Sequence, residues 1–389
     1  MILGITGQYC SGKDCAGEIL KQQGFVHISL SDFLRQEART RGLPTTRENL
    51  ILLGNELRRQ HGHGILAMFA LKGMSSSANY VITSIRNPGE VEVLRAQKNF
   101  ALLKIDAPLS VRWERMQSRK DRPDNLRTYD EFVKREQEEA ASEDPAHQQV
   151  SAVMAMADVV IVNTGTQDDL RLKLAQQNIV QKTKEFVRQK LEGEGSGHDW
   201  WHIVRVYNNA VRIAREEQVD LFVVQLGALL HDIADWKFHG GDDSVGPRIA
   251  QEWLKSQGVD DQVSKDVCHI VQHISFKGAG VQNTITSREG LVVQDADRLD
   301  ALGAIGVARC FAYGGSKNRA MHDPECSPTM HQSFEDYKKS VGTSVNHFYE
   351  KLLLLKDRMN TATGKKLAQE RHTFMEQYLS QFYREWEGE

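Results

Sequence analysis

Ile2-Leu3-Gly4-Ile5-Thr6-Gly7-Gln8-Tyr9-Cys10-Ser11-Gly12-Lys13-Asp14 follows Met1 and decides how the first half of the chain is read. An apolar run stops at Gly7, and a helix-like stretch follows from about Lys13 to Gln22. Gly7 to Asp14 matches G-x-x-x-x-G-K-x in the strand-to-helix setting that the motif requires. Glycines let consecutive backbone N–H groups turn inward around phosphate oxygens. The helix N-terminus adds partial positive charge, and a lysine neutralises the outer phosphates. Gly7, Ser11, Gly12 and Lys13 are therefore candidate phosphate-binding residues. Asp14 stands where the pattern usually has a Ser or Thr hydroxyl for Mg²⁺. A carboxylate can also bind Mg²⁺, but it adds negative charge beside the phosphates.

Outward from this loop, residues 25–30, 80–85, 101–106 and 158–163 read as further apolar strands separated by helical stretches. That is the pattern of a buried parallel sheet with helices on both faces. After about Gln177 the strand-like runs thin out, and helical spacing takes over in Ile203, Val206, Ala210 and Ile213, and again in Phe374, Tyr378 and Phe382. The expected architecture is an α/β domain over residues 1–177 followed by an all-α domain over 178–389. Residues 313–345, with Gly, Pro and Ser and little periodicity, read as a lid.

A chain of 389 residues is long enough for two such domains. Lys+Arg total 49 and Asp+Glu 52, a formal net charge of −3, which argues against a basic nucleic-acid coat or an acidic disordered tail. Of the 14 histidines, His27, His61, His63 and His147 precede residue 178 and the other ten follow it, which directs the search for a metal site to the second half. The five cysteines form no CxxC pair, so a reducing compartment is expected. No signal peptide opens the chain. The most apolar stretch, 221–230, is interrupted by Gln225 and falls short of the ~20 residues that span a bilayer. A cytoplasmic protein without membrane or nucleic-acid-polymer partners is expected.

The first half, about residues 1–175, resembles the nucleoside monophosphate kinase branch of P-loop proteins. Ile28-Ser29-Leu30-Ser31-Asp32-Phe33-Leu34-Arg35 resembles the acceptor-binding segment of adenylate kinases, where the arginine grips the acceptor phosphate. Arg86 falls where that family carries another phosphate-binding arginine, and Arg115, Arg119 and Arg122 fall where it carries a mobile arginine lid. Asn163-Thr164-Gly165 is similar to the base-contacting loop of dephospho-coenzyme A kinases. The resemblance implies an α/β P-loop kinase domain using ATP and Mg²⁺. The acid these kinases often carry after the third strand is absent from Ile82-Thr83-Ser84-Ile85, so Asp14 is read as taking over metal binding. A Gly-Lys-Asp ending also occurs in animal-type phosphomevalonate kinases and some phage deoxynucleotide kinases, and the acceptor stays open.

In the second half, His231-Asp232 ends an apolar run, His202 lies upstream and Asp297 downstream. A charged pair closing an apolar run needs a partner, and a divalent ion serves. The order H … HD … D resembles the HD superfamily of metal-dependent phosphohydrolases, which are all-helical. The resemblance implies His202, His231, Asp232 and Asp297 as metal ligands, with Asp295 as a reserve, for Mn²⁺ or another divalent transition metal. Asp235 lies one helical turn beyond His231 and is the candidate for orienting water. His269 and His273 are i, i+4 neighbours that could hold a second metal or contact phosphate. The run Gly197-His198-Asp199-Trp200-Trp201-His202 extends the resemblance to stand-alone bacterial HD phosphohydrolases over nearly all of 178–389.

Together these readings give a bifunctional nucleotide enzyme: a kinase for a nucleotide-like monophosphate joined to a hydrolase of a nucleotide ester or anhydride. Its partners are small-molecule nucleotides, and homo-oligomerisation is left open. A nucleotide sensor, in which one half binds without turnover, and a kinase of the dephospho-coenzyme A or phosphomevalonate type are the alternatives.

Overall fold

The computed structural model describes residues 1–75, 77–97, 99–118, 128–140, 144–192, 199–234, 242, 244–274, 284–329 and 342–389, except for the side chains at 135 and 138–140. The chain forms two compact units, Met1–Gln176 and Gln177–Glu389.

The first unit is built on five parallel strands, β1 (Ile2–Thr6), β2 (Val26–Ser29), β3 (Tyr80–Thr83), β4 (Phe100–Asp106) and β5 (Val159–Val162), in the order β2-β3-β1-β4-β5. Successive side chains point to opposite faces of a strand. Val81 and Leu103 join a core with Ala16, Ile19 and Leu20 of α1 (Lys13–Gln22), while Ile82 and Leu102 join one with Leu34 of α2 (Leu30–Thr40), Leu53 of α3 (Arg47–His61), Leu66 of α4 (Ile65–Lys72) and Val91 of α5 (Pro88–Arg95). Burial on both faces explains the continuous apolar runs. The remaining helices of this unit are α6 (Leu109–Ser118), α7 (Tyr129–Ala140) and α8 (Val150–Ala155), and α9 (Gln167–Lys190) leads out of it. Central β1 is flanked by β3 on one side and β4 on the other. Strand order therefore reverses at the carboxyl end of β1, where open parallel sheets form their ligand crevice.

The second unit is helical: α10 (Trp200–Glu217), α11 (Leu221–Leu230), α12 (Val245–Ser256), α13 (Asp261–His273), α14 (Arg288–Asp300), α15 (Gly303–Ser316), α16 (Ser344–Glu350), a tight helical turn over Leu352–Arg358, and α17 (Ala362–Trp386). Side-chain caps set the starts. Asp199 accepts from the His202 N–H, Asp220 from those of Phe222 and Val223, and Thr361 from that of Gly364, each satisfying a donor left open by the first turn. Residues Phe222 to Leu230 of α11 are all buried, and Ile203, Val206, Ala210 and Ile213 of α10 share their core. No helix among the described residues is long and apolar enough to cross a membrane.

The stretch 313–345, expected to be irregular, is helical at both ends: α15 runs to Ser316 and α16 starts at Ser344. Gly314 does not end the helix because it gives room to Ser344, whose hydroxyl a Cβ there would strike. Residues 330–341 of this stretch lie outside the described residues.

His347 on α16 carries a pH dependence. Burial, with Lys351 and Arg319 adding repulsion, lowers its pKa from 6.5 to about 3. The unfolded chain takes up this proton near pH 6.5, whereas the folded one refuses it until about pH 3. Its contribution to stability is therefore full above pH 6.5 and falls by about 1.4 kcal/mol per pH unit below it. His347→Gln should flatten the decline of melting temperature between pH 6.5 and 4.5, followed by circular dichroism. An unchanged slope would assign that decline to other groups.

Candidate functional site

In the first unit β1 passes into α1 through a tight loop. A Cβ on Gly7 would lie 2.7 Å from the Ser11 hydroxyl and strike the Ile105 carbonyl, and Gly12 caps α1 at φ 101°. Cys10 (φ 61°) and Ser84 (φ 64°), at the loop and just beyond β3, hold left-handed conformations that cost non-glycine residues about 1–2 kcal/mol. Strain of this kind gathers at functional sites. The Ser11 hydroxyl is fully buried and has no hydrogen-bond partner among the described residues.

A cleft opens beside the loop, lined by Gly7, Lys13, Ser84 and Arg86 with Tyr9 and Phe132. Lys13 Nζ folds back to 3.4 Å from the Gln8 carbonyl. The Arg86 guanidinium donates to Gln148 Oε1 at 2.8 Å. Its backbone N–H donates to Glu90, which is fully buried in an ion pair with Arg58 at 2.8 Å. Arg35 lies further out on α2, donating to Ser31 (2.9 Å) and Asp32 (2.6 Å); the Ser31 hydroxyl is 3.4 Å from that of Ser84. Asp14 is exposed in the first turn of α1. Asn163 has its amide turned to the loop: Nδ2 donates to the Ser11 carbonyl at 2.8 Å, and a Cβ on Gly12 would collide with it. Arg115 donates to the same carbonyl at 3.3 Å and to that of Gly165 at 3.4 Å. Arg119 and Arg122 lie outside the described residues.

In the second unit the first turn of α10, the residues just after α11, and the last turn of α14 converge. They bring together His202 Nε2, His231 Nε2, Asp232 Oδ2 and Asp297 Oδ1. The two nitrogens are 3.3 Å apart. Asp232 lies 3.4 Å from His202 and 3.5 Å from His231, and Asp297 lies 3.5 and 3.9 Å from them.

The other ring nitrogens define the proton positions. His202 Nδ1 is 2.7 Å from Asp300 Oδ2, and His231 Nδ1 is 2.8 Å from the Ala228 carbonyl. Both partners only accept, so both Nδ1 atoms carry the proton and donate it. With both rings neutral, the two Nε2 lone pairs face each other among carboxylate oxygens, so positive charge is favoured at the centre, as a proton on His202 or as a bound cation. Metal bonds of about 2.0–2.2 Å place neighbouring ligand atoms about 3.0–3.6 Å apart, close to the spacing here. Two imidazoles with two carboxylates suit a divalent transition ion.

A model of the HD domain family matches residues 200–302. The uncharacterized protein YpgQ of Bacillus subtilis is 37% identical over 211 residues, which span 54% of this chain and 94% of YpgQ. The chain belongs to the HD-domain family. A crystal structure of YpgQ in complex with ADP aligns with 54% of this chain and 96% of its own, at 34% identity and TM-score 0.43. An HD-superfamily hydrolase from Bacillus thuringiensis is 42% identical, with 55% of this chain and all of that one covered and a TM-score of 0.45. Matching the N-terminal region, a UPF0200 protein of Pyrococcus horikoshii is 30% identical over 181 residues, 45% of this chain and 94% of that protein.

Within the HD domain, Asp300 is the functional residue that sequence reasoning missed. It lies three residues after Asp297, on the same face of α14, and that spacing was the available signal. It also receives Arg205 (2.6 and 3.0 Å) and Arg309. Burial pushes the Asp300 carboxyl up, but His202, Arg205 and Arg309 outweigh it and hold the group below the usual carboxylate range. Burial opposes charge on His202, yet Asp232, Asp300 and Asp297 raise its pKa from 6.5 to about 9. The site thus draws positive charge strongly. Asp295, the reserve ligand, points elsewhere: its oxygens accept from the Asn360 and Thr361 backbone (2.8–3.1 Å) and from both side chains (2.8 Å). The His269 and His273 rings lie 4.5 Å apart between centroids and tilted by 41°, and His273 Nδ1 lies 3.0 Å from the Thr284 hydroxyl. Asp235 and His198 lie outside the described residues.

Proposed function

We propose that the chain is a bifunctional nucleotide enzyme. Its HD domain hydrolyses a phosphate ester or anhydride of a nucleotide with Mn²⁺ or a similar ion. Its first unit transfers the γ-phosphoryl group of ATP, as the Mg²⁺ complex, to a nucleotide-like monophosphate. The observation that carries the reading is the convergence of His202, His231, Asp232 and Asp297, with both Nδ1 atoms turned away to acceptors and both Nε2 atoms turned inward. An ion held there supplies Lewis acidity and a bound water acidified to near pH 7 in favourable cases.

The protein's own groups have distinct tasks. His202 and His231 are buried and form the floor, while Asp232 and Asp297 are partly exposed and mark the side from which a phosphate enters. Arg205 and Arg309, each about one-third exposed, add positive charge beside it. Asp235 orients the attacking water and receives its proton. In the first unit the loop N–H groups and Lys13 hold the ATP phosphates, and Arg86 holds the acceptor phosphate across the cleft. The buried, unpartnered Ser11 hydroxyl supports a ligand at this loop. Asp14 binds Mg²⁺, directly or through water, and Arg35, Arg119 and Arg122 close on the transferring group. Asn163 acts by fixing the loop backbone.

The test is a screen of the purified chain against nucleoside mono-, di- and triphosphates with Mg²⁺ and Mn²⁺, identifying products as phosphate, pyrophosphate or a phosphorylated acceptor. Metal-dependent release together with ATP-dependent transfer is expected. Nucleotide binding with neither product would replace this reading with that of a sensor.

A further inference from the structure

A neutral imidazole has two tautomers, and they have opposite consequences in this cluster. With the proton on Nδ1, His202 offers a bare Nε2 to an ion. With the proton on Nε2, it donates across 3.3 Å to His231 Nε2 and closes the site. Two groups compete to decide which form exists. An Arg309 Nη1 lies 3.1 Å from His202 Nδ1 and would, by donating there, drive the proton to Nε2. Asp300 prevents this, because it accepts from both the His202 Nδ1–H and that same Arg309 nitrogen. Arg205, three residues after His202 on α10, occupies its other oxygen at 2.6 Å.

We propose that Asp300 is a positioning residue of the metal centre: it locks His202 as the Nδ1–H tautomer by taking up the Arg309 donor that would otherwise reverse it. This deepens the metal-dependent hydrolase reading and rests on it. Asp300 is buried, and its two oxygens accept from His202, Arg205 and Arg309 together. His231 needs no such device, because its Nδ1–H meets a backbone carbonyl.

The experiment measures Mn²⁺ affinity of the full chain by titration calorimetry, beside nucleotide hydrolysis and the thermal unfolding of metal-free protein. Asp300→Ala and the near-isosteric Asp300→Asn should each weaken Mn²⁺ binding by about 10–100-fold. The double variant Asp300→Ala, Arg309→Ala should recover about tenfold over Asp300→Ala alone, since the competing donor is gone. A residue that merely bridges helices would give no such recovery. At a pH where the His202 ring is neutral, its ¹⁵N shifts should report Nδ1–H in the parent and Nε2–H in Asp300→Ala. If Asp300→Asn, folded like the parent, binds Mn²⁺ within about threefold of it, or if the double variant binds no better than the single one, the positioning role is wrong and the metal reading stands. If the parent itself binds no divalent ion, both fall together.

Discussion

On the proposed bifunctional reading, Asp232→Ala should strongly weaken retention of a divalent ion by the HD domain and lower nucleotide hydrolysis by about 10³-fold or more, while phosphoryl transfer should stay within about twofold. The substitution removes one of four acceptors and one of the two carboxylate charges facing the ion, leaving both Nε2 atoms and Asp297. A second readout separates this from misfolding. In chelator the variant should melt no lower than the parent, because crowding among the acceptors is relieved. Saturating metal stabilises the parent by about 2.7 kcal/mol at a hundred times its Kd, and it should leave the variant unmoved. Hydrolysis that survives in Asp232→Ala would place the reaction elsewhere.

On the same reading Lys13→Ala should have the opposite profile: phosphoryl transfer should fall by about 10²–10³-fold or more, with hydrolysis unchanged. Lys13 lines the cleft with Arg86 and folds across the loop toward the Gln8 carbonyl, from which it can swing to a phosphate. In its alanine variant the contacts of Asn163 and Arg115 to the Ser11 carbonyl remain to hold the loop backbone. Loss of both activities in both variants would exclude independent sites.

The sheet was legible because its strands are buried on both faces, so each reads as an unbroken apolar run. His202, His231, Asp232 and Asp297 were legible as residue types in order on helical segments. Their convergence was not, because it depends on how α10, α11 and α14 cross. Asp300 was hidden for the same reason: its partner His202 is 98 residues away. Asp295 and Asp297 could not be told apart by composition. Two residues on a helix differ by about 200°, and only the position of Asn360 shows which face Asp295 takes. Asn163 was read from its resemblance as part of a base-contacting loop; that its amide also donates to a carbonyl 152 residues earlier in the chain was not legible, because it depends on the fold. Gly314 and Gly315 suggested a break because glycine is a poor helix former, and packing against Ser344 outweighed that preference.

Within six residues α14 presents three carboxylates in three directions: Asp295 to the turn before α17, Asp297 to the acceptor cluster and Asp300 to the arginine pair. Asp295 alone gathers two backbone and two side-chain partners, so the helix is keyed like a shaft in a slot. Each residue advances an α-helix by about 100°. A single inserted or deleted residue between 295 and 300 would aim Asp297 or Asp300 away from His202 while Asp295 held the shaft still.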